Sequence, residues 1–174
     1  MLKILDPGDV IAAFGIEEGS IMLDVGCGPG AFLEAASKRI GRKGKVHAID
    51  MQEPFVAMAK KLSAERGLGN VSFTVSREDR IPLGTGIADS AIMVNTLHEL
   101  DGLSTLKEVA RLLKANGVLG IVEWEKMKTP MGPPVSERLG QDESEEMLGN
   151  TGFEVEKVFS ISRYHYGISA RKII

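Results

Sequence analysis

The chain has 174 residues, of which 21 are basic and 24 acidic; its formal charge of -3 at pH 7 argues against nucleic acid as a partner. Hydrophobic residues make up 43% and charged residues 26%, which excludes a disordered or fibrous chain and predicts one domain over residues 1–174. Cys27 is the only cysteine, which excludes a disulfide framework and a cysteine-based zinc cluster, and we predict no metal site.

No segment of the sequence has the character of a targeting or membrane-spanning element. The start, MLKILDPGDV, lacks the apolar stretch of a signal peptide. A run of about 18 apolar residues, the length that a spanning helix needs, occurs nowhere in the chain. We therefore expect a cytoplasmic protein with no membrane span.

The predicted elements alternate between helices and short apolar strands. A first helix begins where Asp6 caps it and Pro7 takes its first position. Short, mostly apolar segments and, at 71–75, an apolar–polar alternation then predict five strands, at 21–25, 45–49, 71–75, 90–95 and 117–123. The intervening helices have apolar residues at spacings of three and four: Phe32, Ala36 and Ile40; Phe55, Met58, Ala59 and Leu62; Leu106, Val109, Ala110 and Leu113. This alternation predicts a mainly parallel sheet that is covered on both faces.

The C-terminal part of the sequence departs from this alternation. A loop with three prolines is predicted at 129–134, and a short helix at 142–148. The strands predicted at 153–159 and 163–170 are so close that they form an antiparallel hairpin. The sequence thus predicts an α/β fold of three layers, with a mainly parallel seven-stranded sheet and a C-terminal antiparallel hairpin.

A glycine-rich segment follows the first predicted strand and opens a helix. It reads Leu-Asp-Val-Gly-Cys-Gly-Pro-Gly over residues 23–30, and its glycines let the backbone turn tightly and approach a ligand. Asp24, at the strand end, can accept hydrogen bonds from an ammonium group or order the loop. Twenty residues after Gly30, Asp50 ends the second strand, where a carboxylate is placed to accept two ribose hydroxyls. The two features together predict a nucleoside ligand.

The glycine-rich segment and Asp50 are also compatible with two alternatives to a single nucleoside site. They could form a structural turn and a solvent-facing acid. The pattern Gly26-x-Gly28-x-x-Ala31 also satisfies the looser dinucleotide motif. Asp24, the extra Gly30 and the length of the chain argue against a nicotinamide enzyme, which normally needs further sequence for its second nucleotide half and its substrate.

At these residues the sequence resembles the class I S-adenosylmethionine-dependent methyltransferases. LDVGCGPG is similar to their first motif, and IPLGTGIADSAIMVNTLHEL and LKEVARLLKANGVLGIVEWE are similar to their fourth-strand and fifth-strand segments. The resemblance extends from Asp6 to the end and is strongest to the small subgroup of ubiquinone/menaquinone-biosynthesis (type 11) methyltransferases. It implies a Rossmann-like methyltransferase fold and S-adenosylmethionine as cofactor, with S-adenosylhomocysteine as product.

The resemblance also implies roles for individual residues. Asp24, Gly26, Gly28 and Gly30 line the methionine and ribose parts of the cofactor, and Cys27 packs within the loop rather than acting as a nucleophile. Further expected cofactor contacts come from the next strands: Asp50 to the ribose hydroxyls, Met51 against adenine, and the Asn95 carbonyl to the amino group. Plain core filling is the alternative for Met51.

Two positions depart from the family pattern. Where relatives often have an Asp that accepts from the adenine amino group, this chain has Arg77, which cannot accept. Glu78 is the predicted replacement, with Asp79 or the backbone alone as alternatives. Only five residues precede Asp6, so we expect either a more open cofactor site than in relatives with a longer N-terminal segment or a lid from another part of the protein.

Methyl transfer is an in-line displacement that depends on alignment and water exclusion, so a catalytic base is optional. His98, just past the fourth strand, is a candidate base, although it could instead order its loop. Trp124 could line an acceptor pocket or pack under the 129–134 loop. Tyr164 and Tyr166 are candidate rim residues, with surface packing as the alternative.

We predict a methyltransferase that acts on a small-molecule acceptor, whose identity the sequence does not reveal. The alternatives are an RNA or protein methyltransferase and a nucleoside-binding module that has lost catalysis. A homodimer is left open as an assembly.

Overall fold

The computed structural model describes residues 4–173, which form a seven-stranded sheet and five α-helices. The strands are β1 (Ile21–Val25), β2 (Lys45–Asp50), β3 (Val71–Val75), β4 (Ala88–Val94), β5 (Leu113–Trp124), β6 (Phe153–Ser162) and β7 (His165–Lys172). The helices are α1 (Pro7–Ala12), α2 (Leu33–Ile40), α3 (Glu53–Glu65), α4 (Ser104–Leu112) and α5 (Gln141–Gly149). Short 3₁₀ turns occur at Leu97–Glu99 and Val135–Glu137.

The strand order in the sheet is β3-β2-β1-β4-β5-β7-β6. The first five strands in this order are parallel, whereas β7 is antiparallel to both β5 and β6. The predicted α/β fold with a closing antiparallel hairpin is therefore confirmed. Within residues 4–173, no helix has the length and apolar character needed to cross a membrane.

The order reverses at β1, which pairs with β2 on one side and β4 on the other. Val25 lies opposite Ile49 of β2, and Asp24 lies opposite Ile92 of β4. The carboxyl ends of the five parallel strands therefore meet at one edge of the sheet, which we call the carboxyl edge. Ligands of doubly wound folds bind at such an edge, beside the point of reversal.

Glycines seat two aromatic rings on one face of the sheet. Phe14, just after α1, lies where a side chain on Gly120 of β5 would stand, 2.5 Å from its ring. Phe159 of β6 covers Gly167 of β7 in the same way, at 2.7 Å. The two rings pack with centroids 5.8 Å apart. They thus extend the apolar layer over β5, β7 and β6.

The inner face of α3 differs from the predicted one. Val56, Ala59 and Ser63 are buried, whereas Met58 is 52% exposed. The helix is therefore rotated about its axis, relative to the prediction, so that Val56, Ala59 and Ser63 approach the sheet. The apolar spacing alone did not distinguish this face because Met58 and Val56 are similarly hydrophobic.

The predicted helix through Leu113 is wrong at its C-terminal end. α4 ends at Leu112, and Leu113 adopts an extended backbone and pairs with Ala88 of β4. The next paired residue of β5 is Val118, opposite Ser90, so residues 114–117 bulge out of register. Asn116, with a φ of 62°, lies in this bulge. The Asn116-Gly117 pair, a turn signal that predicts the end of this helix, therefore marks an irregularity in β5 instead.

A buried arginine holds the segment 125–134, which we call the strap, over the end of β5. Arg138 is 3% exposed, and its guanidinium lies 5.0 Å from the centre of the Trp124 ring. Its five N–H groups reach the carbonyls of Glu125, Met127, Met131 and Pro133 and the hydroxyl of Thr129, at 2.6–3.1 Å. All donors of the guanidinium are thereby satisfied by neutral oxygens of the strap.

Trp124 supports the strap from below. A side chain on Gly132 would come within 2.9 Å of its indole, and the ring also packs on His165 with centroids 4.1 Å apart. Burial and the nearby Arg138 charge lower the pKa of His165 to about 4, so this imidazole is neutral at pH 7. The strap therefore rests on three side chains in contact: the Arg138 cation, the Trp124 indole and the neutral His165 imidazole.

We expect Arg138→Lys to lower the free energy of unfolding by about 2–4 kcal/mol, because a lysine cannot replace five donors and strap carbonyls lose their partners. Chemical denaturation monitored by Trp124 fluorescence measures this loss. Arg163→Lys is the matched control, since Arg163 is exposed and also stacks on an aromatic ring, at 5.4 Å from Tyr164. A loss of similar size in both variants would contradict the proposed role of Arg138.

Candidate functional site

The glycine loop joins β1 to α2 at the carboxyl edge and is anchored to both neighbouring strands. The N–H groups of Gly26 and Cys27 donate to the Ile49 carbonyl of β2, at 2.8 and 3.0 Å. On the β4 side, a Cβ on Gly26 would lie 2.5 Å from the Thr96 hydroxyl oxygen. Gly26 also has a φ of 75°, which favours glycine. Only glycine therefore lets the loop pass this close to the β4 end.

Asp50 closes the loop from the β2 side. Its Oδ2 accepts from the Gly28 N–H at 2.9 Å, and its Oδ1 accepts from the Gln52 N–H at 2.9 Å. Each carboxylate oxygen keeps a further lone pair, and the carboxylate is only half-buried. The space next to Gly28 is open, since a Cβ there would meet no atom within 4 Å. Asp50 is thus fixed in orientation and still able to accept from two hydroxyls.

Gly30 and Cys27 face the protein rather than this open space. A Cβ on Gly30 would lie 3.3 Å from the Cα of Ala59, so the glycine permits close packing of α3 against the loop. Cys27 is 4% exposed, and its thiol contacts the Gly28 carbonyl at 3.5 Å. Burial, with the charges of Asp24 and Asp50, raises the pKa of this thiol. Cys27 therefore stays protonated at pH 7, as a packing role requires.

Asp24 is a buried acid beneath the loop. It is 1% exposed, and its Oδ2 has no hydrogen-bond partner in the part of the chain from 4 to 173. Burial, and to a smaller extent the charge of Asp50, raises the pKa of Asp24 to about 7. A buried acceptor without a donor is costly, so its presence here points to a cationic or donor group that a ligand supplies.

Asn95 provides a second oxygen of this kind at the end of β4. Its backbone is left-handed, with a φ of 53°, and its N–H donates to the Val122 carbonyl of β5 at 2.8 Å. Its side-chain Oδ1 is buried and accepts no hydrogen bond from any described residue. The sequence predicted a ligand contact through the Asn95 carbonyl; the side-chain oxygen is an additional acceptor that it did not predict.

The residues predicted for adenine lie further along the edge. Met51 follows β2 and is 52% exposed, so it is not core filling. Glu78 is half-buried, and its Oε1 accepts from the Asp101 N–H at 2.7 Å, while its carbonyl accepts from the Thr105 hydroxyl at 3.0 Å. The carboxylate of Glu78 thus has a structural partner at the start of α4. Its contact with adenine stays a prediction.

His98 is tied to a buried acid on β5. Its side chain is 6% exposed, and its Nδ1 lies 2.8 Å from Glu123 Oε2. The His98 backbone N–H also reaches the second carboxylate oxygen of Glu123, at 3.2 Å. The hydrogen bond to Glu123 raises the pKa of His98, against the effect of burial. One carboxylate therefore holds both the ring and the backbone of the loop after β4.

The aromatic residues near the carboxyl edge are more deeply buried than the sequence predicted. Tyr166 is fully buried, and its hydroxyl bonds Ser144 at 2.7 Å and the Leu139 carbonyl at 3.0 Å, so it is not a rim residue. Trp124 packs under the strap, as one of its two alternatives proposed. Tyr164 remains partly exposed at the hairpin turn, beside Arg163.

Sequence reasoning missed three residues that shape the site, namely Thr96, Glu123 and Arg138. Glu123 had a detectable signal, because an acid ends an otherwise apolar strand, GVLGIVE, and a buried acid needs a partner. Nothing in the sequence distinguishes Thr96 or Arg138 from the remaining polar residues. Their roles arise from contacts with segments that are distant in the chain.

The geometry accommodates S-adenosylmethionine. The open space at Gly28 suits a ligand that approaches the backbone, and Asp50 keeps acceptor capacity for ribose hydroxyls. The unpaired oxygens of Asp24 and Asn95 suit the ammonium and amino donors of such a molecule. The ribose hydroxyls and the ammonium group of the ligand thus each have a candidate acceptor among these side chains.

Known proteins support this interpretation. A family model described as a methyltransferase domain matches residues 22–117. The chain is 29% identical over 119 residues to the ubiquinone/menaquinone biosynthesis C-methyltransferase UbiE of Hydrogenovibrio crunogenus, which covers 67% of this chain and 47% of that protein. It is 36% identical over 136 residues to the nocamycin O-methyltransferase of Saccharothrix syringae, which covers 77% and 43% respectively. The chain thus spans less than half the length of either relative.

A solved structure extends the similarity over almost the whole chain. A SAM-dependent methyltransferase from Aquifex aeolicus superposes with a TM-score of 0.95 at 38% identity, covering 99% of this chain and 92% of that one. The family match covers more than half of the residues and includes β1 from its second residue, the glycine loop and Asp50. The chain therefore belongs to the methyltransferase domain family, in the class I group whose cofactor is S-adenosylmethionine.

Proposed function

We propose that this protein transfers a methyl group from S-adenosylmethionine to a small-molecule acceptor at the carboxyl edge. The observation that carries the proposal is the ring of acceptors around the glycine loop: Asp50 oriented by two N–H groups, and unpaired buried oxygens on Asp24 and Asn95. A purely structural turn has no need of two buried acceptors without donors.

In this proposal the cofactor residues divide into two groups. Asp50 accepts from the ribose hydroxyls, with Met51 against the adenine ring. Asp24 accepts from the methionine ammonium. Asn95 accepts from the amino group of the cofactor, through its backbone carbonyl or its side-chain Oδ1. Gly28 leaves the space in which the ligand lies against the loop. Glu78 accepts from the adenine amino group through acceptor sites that the Asp101 N–H, bound to Oε1, leaves free.

The residues of the site support transfer by alignment rather than by acid–base chemistry. When bound, S-adenosylmethionine supplies an electrophilic methyl group, and the displacement needs only an aligned acceptor. His98 gives both its ring and its backbone N–H to Glu123, and we propose that it orders the loop that carries Thr96. We propose that the acceptor binds beside the strap and Trp124, which then limit the access of water to it.

Two alternatives belong to different functional classes. A macromolecular acceptor such as RNA is disfavoured by the net charge of -3, since RNA binding depends on cationic surface. A nucleoside-binding module without catalysis would bind the cofactor but methylate nothing. Incubation with methyl-labelled S-adenosylmethionine and a metabolite extract, read by mass spectrometry, separates it from an enzyme: labelled small molecules support our proposal, and none at saturating cofactor contradicts it.

The first test is cofactor affinity and its dependence on Asp50. We expect calorimetry to give micromolar binding of S-adenosylhomocysteine, roughly 8 kcal/mol, and far weaker binding of NAD. Asp50→Asn should weaken the former by about 1.5–3 kcal/mol, because one acceptor of charged hydrogen bonds is lost. Asp142→Asn, a control on the exposed surface of α5, should leave the affinity for S-adenosylhomocysteine unchanged. Tighter binding of NAD than of S-adenosylhomocysteine, or an unchanged S-adenosylhomocysteine affinity in Asp50→Asn, would contradict the ribose assignment.

Asp24 gives a pH-dependent prediction that needs no ligand. Because its folded pKa is raised from 3.8 to about 7, Asp24 stabilises the fold at low pH and this contribution is lost as pH rises through 7. Asp24→Asn should therefore raise the free energy of unfolding at pH 8 by about 2 kcal/mol or more, since each pKa unit corresponds to about 1.4 kcal/mol. The gain should shrink at pH 5, as urea denaturation at both pH values can show. An equal effect at the two pH values would mean that Asp24 does not titrate in this range.

His98 can be tested before any acceptor is known. If it orders the loop, His98→Ala should lower the free energy of unfolding by about 1–3 kcal/mol and weaken S-adenosylhomocysteine binding, because Thr96 loses its position beside Gly26. The raised His98 pKa makes this stabilisation greatest below its ordinary value of 6.5 and smaller above the folded pKa. Glu123→Gln should reproduce the loss at pH 6. Unchanged stability and affinity in His98→Ala would instead favour a base that acts only on the acceptor.

A further inference from the structure

The two outer strands of the sheet differ in how they protect their free edges. β6, at one end, carries the exposed charged residues Glu154, Glu156 and Lys157 and two register irregularities against β7. Charges and bulges are the features by which edge strands avoid pairing with another chain. β3, at the opposite end, reads Val-Ser-Phe-Thr-Val and has neither a charge nor a proline. Its last residue, Val75, is 45% exposed.

The hydrogen-bonding direction of β3 follows from its two ends. The Asn70 carbonyl accepts from Val46 of β2, and the Ser76 N–H donates to Asp50 of β2, at 2.9 Å each. Because main-chain groups alternate in direction along a strand, Ser72 and Thr74 also face β2. The N–H and C=O groups of Val71, Phe73 and Val75 therefore point outward, away from the sheet.

The order of residues in β3 is self-complementary. If two copies pair antiparallel about a twofold axis at Phe73, each Val71 lies opposite Val75 of the second copy, and each Ser72 lies opposite Thr74. The outward-facing residues 71, 73 and 75 of one copy then lie opposite 75, 73 and 71 of the second copy. Each of these three pairs exchanges two main-chain hydrogen bonds, about six in all. Val71 and Phe73 already pack on the apolar layer beneath α2 and α3, so pairing makes that layer continuous across the axis.

We propose that β3 is the docking surface for a second copy of this chain, which adds its own β3 antiparallel and forms a twofold dimer with one continuous sheet. An isologous interface of this kind is closed and needs no further partner. A five-residue strand is short, so the interface is smaller than the roughly 1,200–2,000 Å² of stable complexes and the dimer is expected to dissociate on dilution.

Sedimentation of the full chain over roughly 1–300 µM, a range suited to weak dimers, tests the proposal. We expect the mass to rise with concentration from 18.8 kDa toward twice that value. Val75→Lys places a charge in two of the three outward pairs and should raise the dissociation constant at least about tenfold. Ser160→Lys adds the same charge to the exposed edge of β6 and should leave it unchanged.

A cross-link tests the register and does not depend on how Val75→Lys folds. In the double variant Val71→Cys with Val75→Cys, the two cysteines of one chain are about 13 Å apart, too far for a disulfide. Across the proposed axis, position 71 faces position 75 of the second copy, so oxidation should give a covalent dimer linked 71 to 75, as peptide mapping can show. The native Cys27 is buried and should not react.

Four results would overturn the proposal. These are a wild-type chain that stays monomeric, a dimer that Val75→Lys leaves intact, a dimer that Ser160→Lys disrupts equally, and an oxidised double variant without the 71–75 link. Concentration-dependent dimerisation that only the β3 variant weakens, together with that link, would support it.

Discussion

The close approach of the backbone at Gly26 to Thr96 is the constraint on which the rest of the site depends. Because no Cβ fits there, the loop can donate to Ile49 of β2 on one side and lie against the end of β4 on the opposite side. This contact spans the point where the strand order reverses. It leaves the N–H of Gly28 directed at Asp50 and the space beside it open. A larger residue at position 26 would move the loop away from one strand or the other.

The unpaired oxygens at this site carry a cost that the fold alone does not require. An acid buried like Asp24 is unfavourable when ionised, and its Oδ2 has no donor among residues 4–173. The surrounding sheet holds it there because β1 is paired on both sides. A cationic ligand would remove this cost, which is why we assign the ammonium of the methionine moiety to Asp24. The same physical reason applies, more weakly, to the uncharged oxygen of Asn95.

Most of the fold could be predicted because its signals are local. The predicted bounds of β1 and β3 are confirmed to the residue: β1 stops at the glycine loop, and the apolar–polar alternation of β3 stops after Val75. The errors occur where tertiary contacts decide. Leu113 fits the helical spacing of α4, but pairing with Ala88 of β4 draws it into β5. Met58 fits the spacing of α3, but close packing of Ala59 against Gly30 selects a face of smaller residues.

The same distinction separates the two halves of the candidate site. Most residues proposed for the cofactor lie within 24–30 and 50–51, so a nucleoside ligand can be predicted from their spacing. The side that we propose for the acceptor depends on contacts between distant segments: His98 with Glu123, and Arg138 with the strap and Trp124. His98 and Glu123 can each be noticed in the sequence, but their pairing cannot, and Arg138 is an ordinary polar residue until the fold brings the strap near. The sequence therefore indicates which molecule donates the methyl group, but the identity of the acceptor depends on contacts that only the folded chain creates.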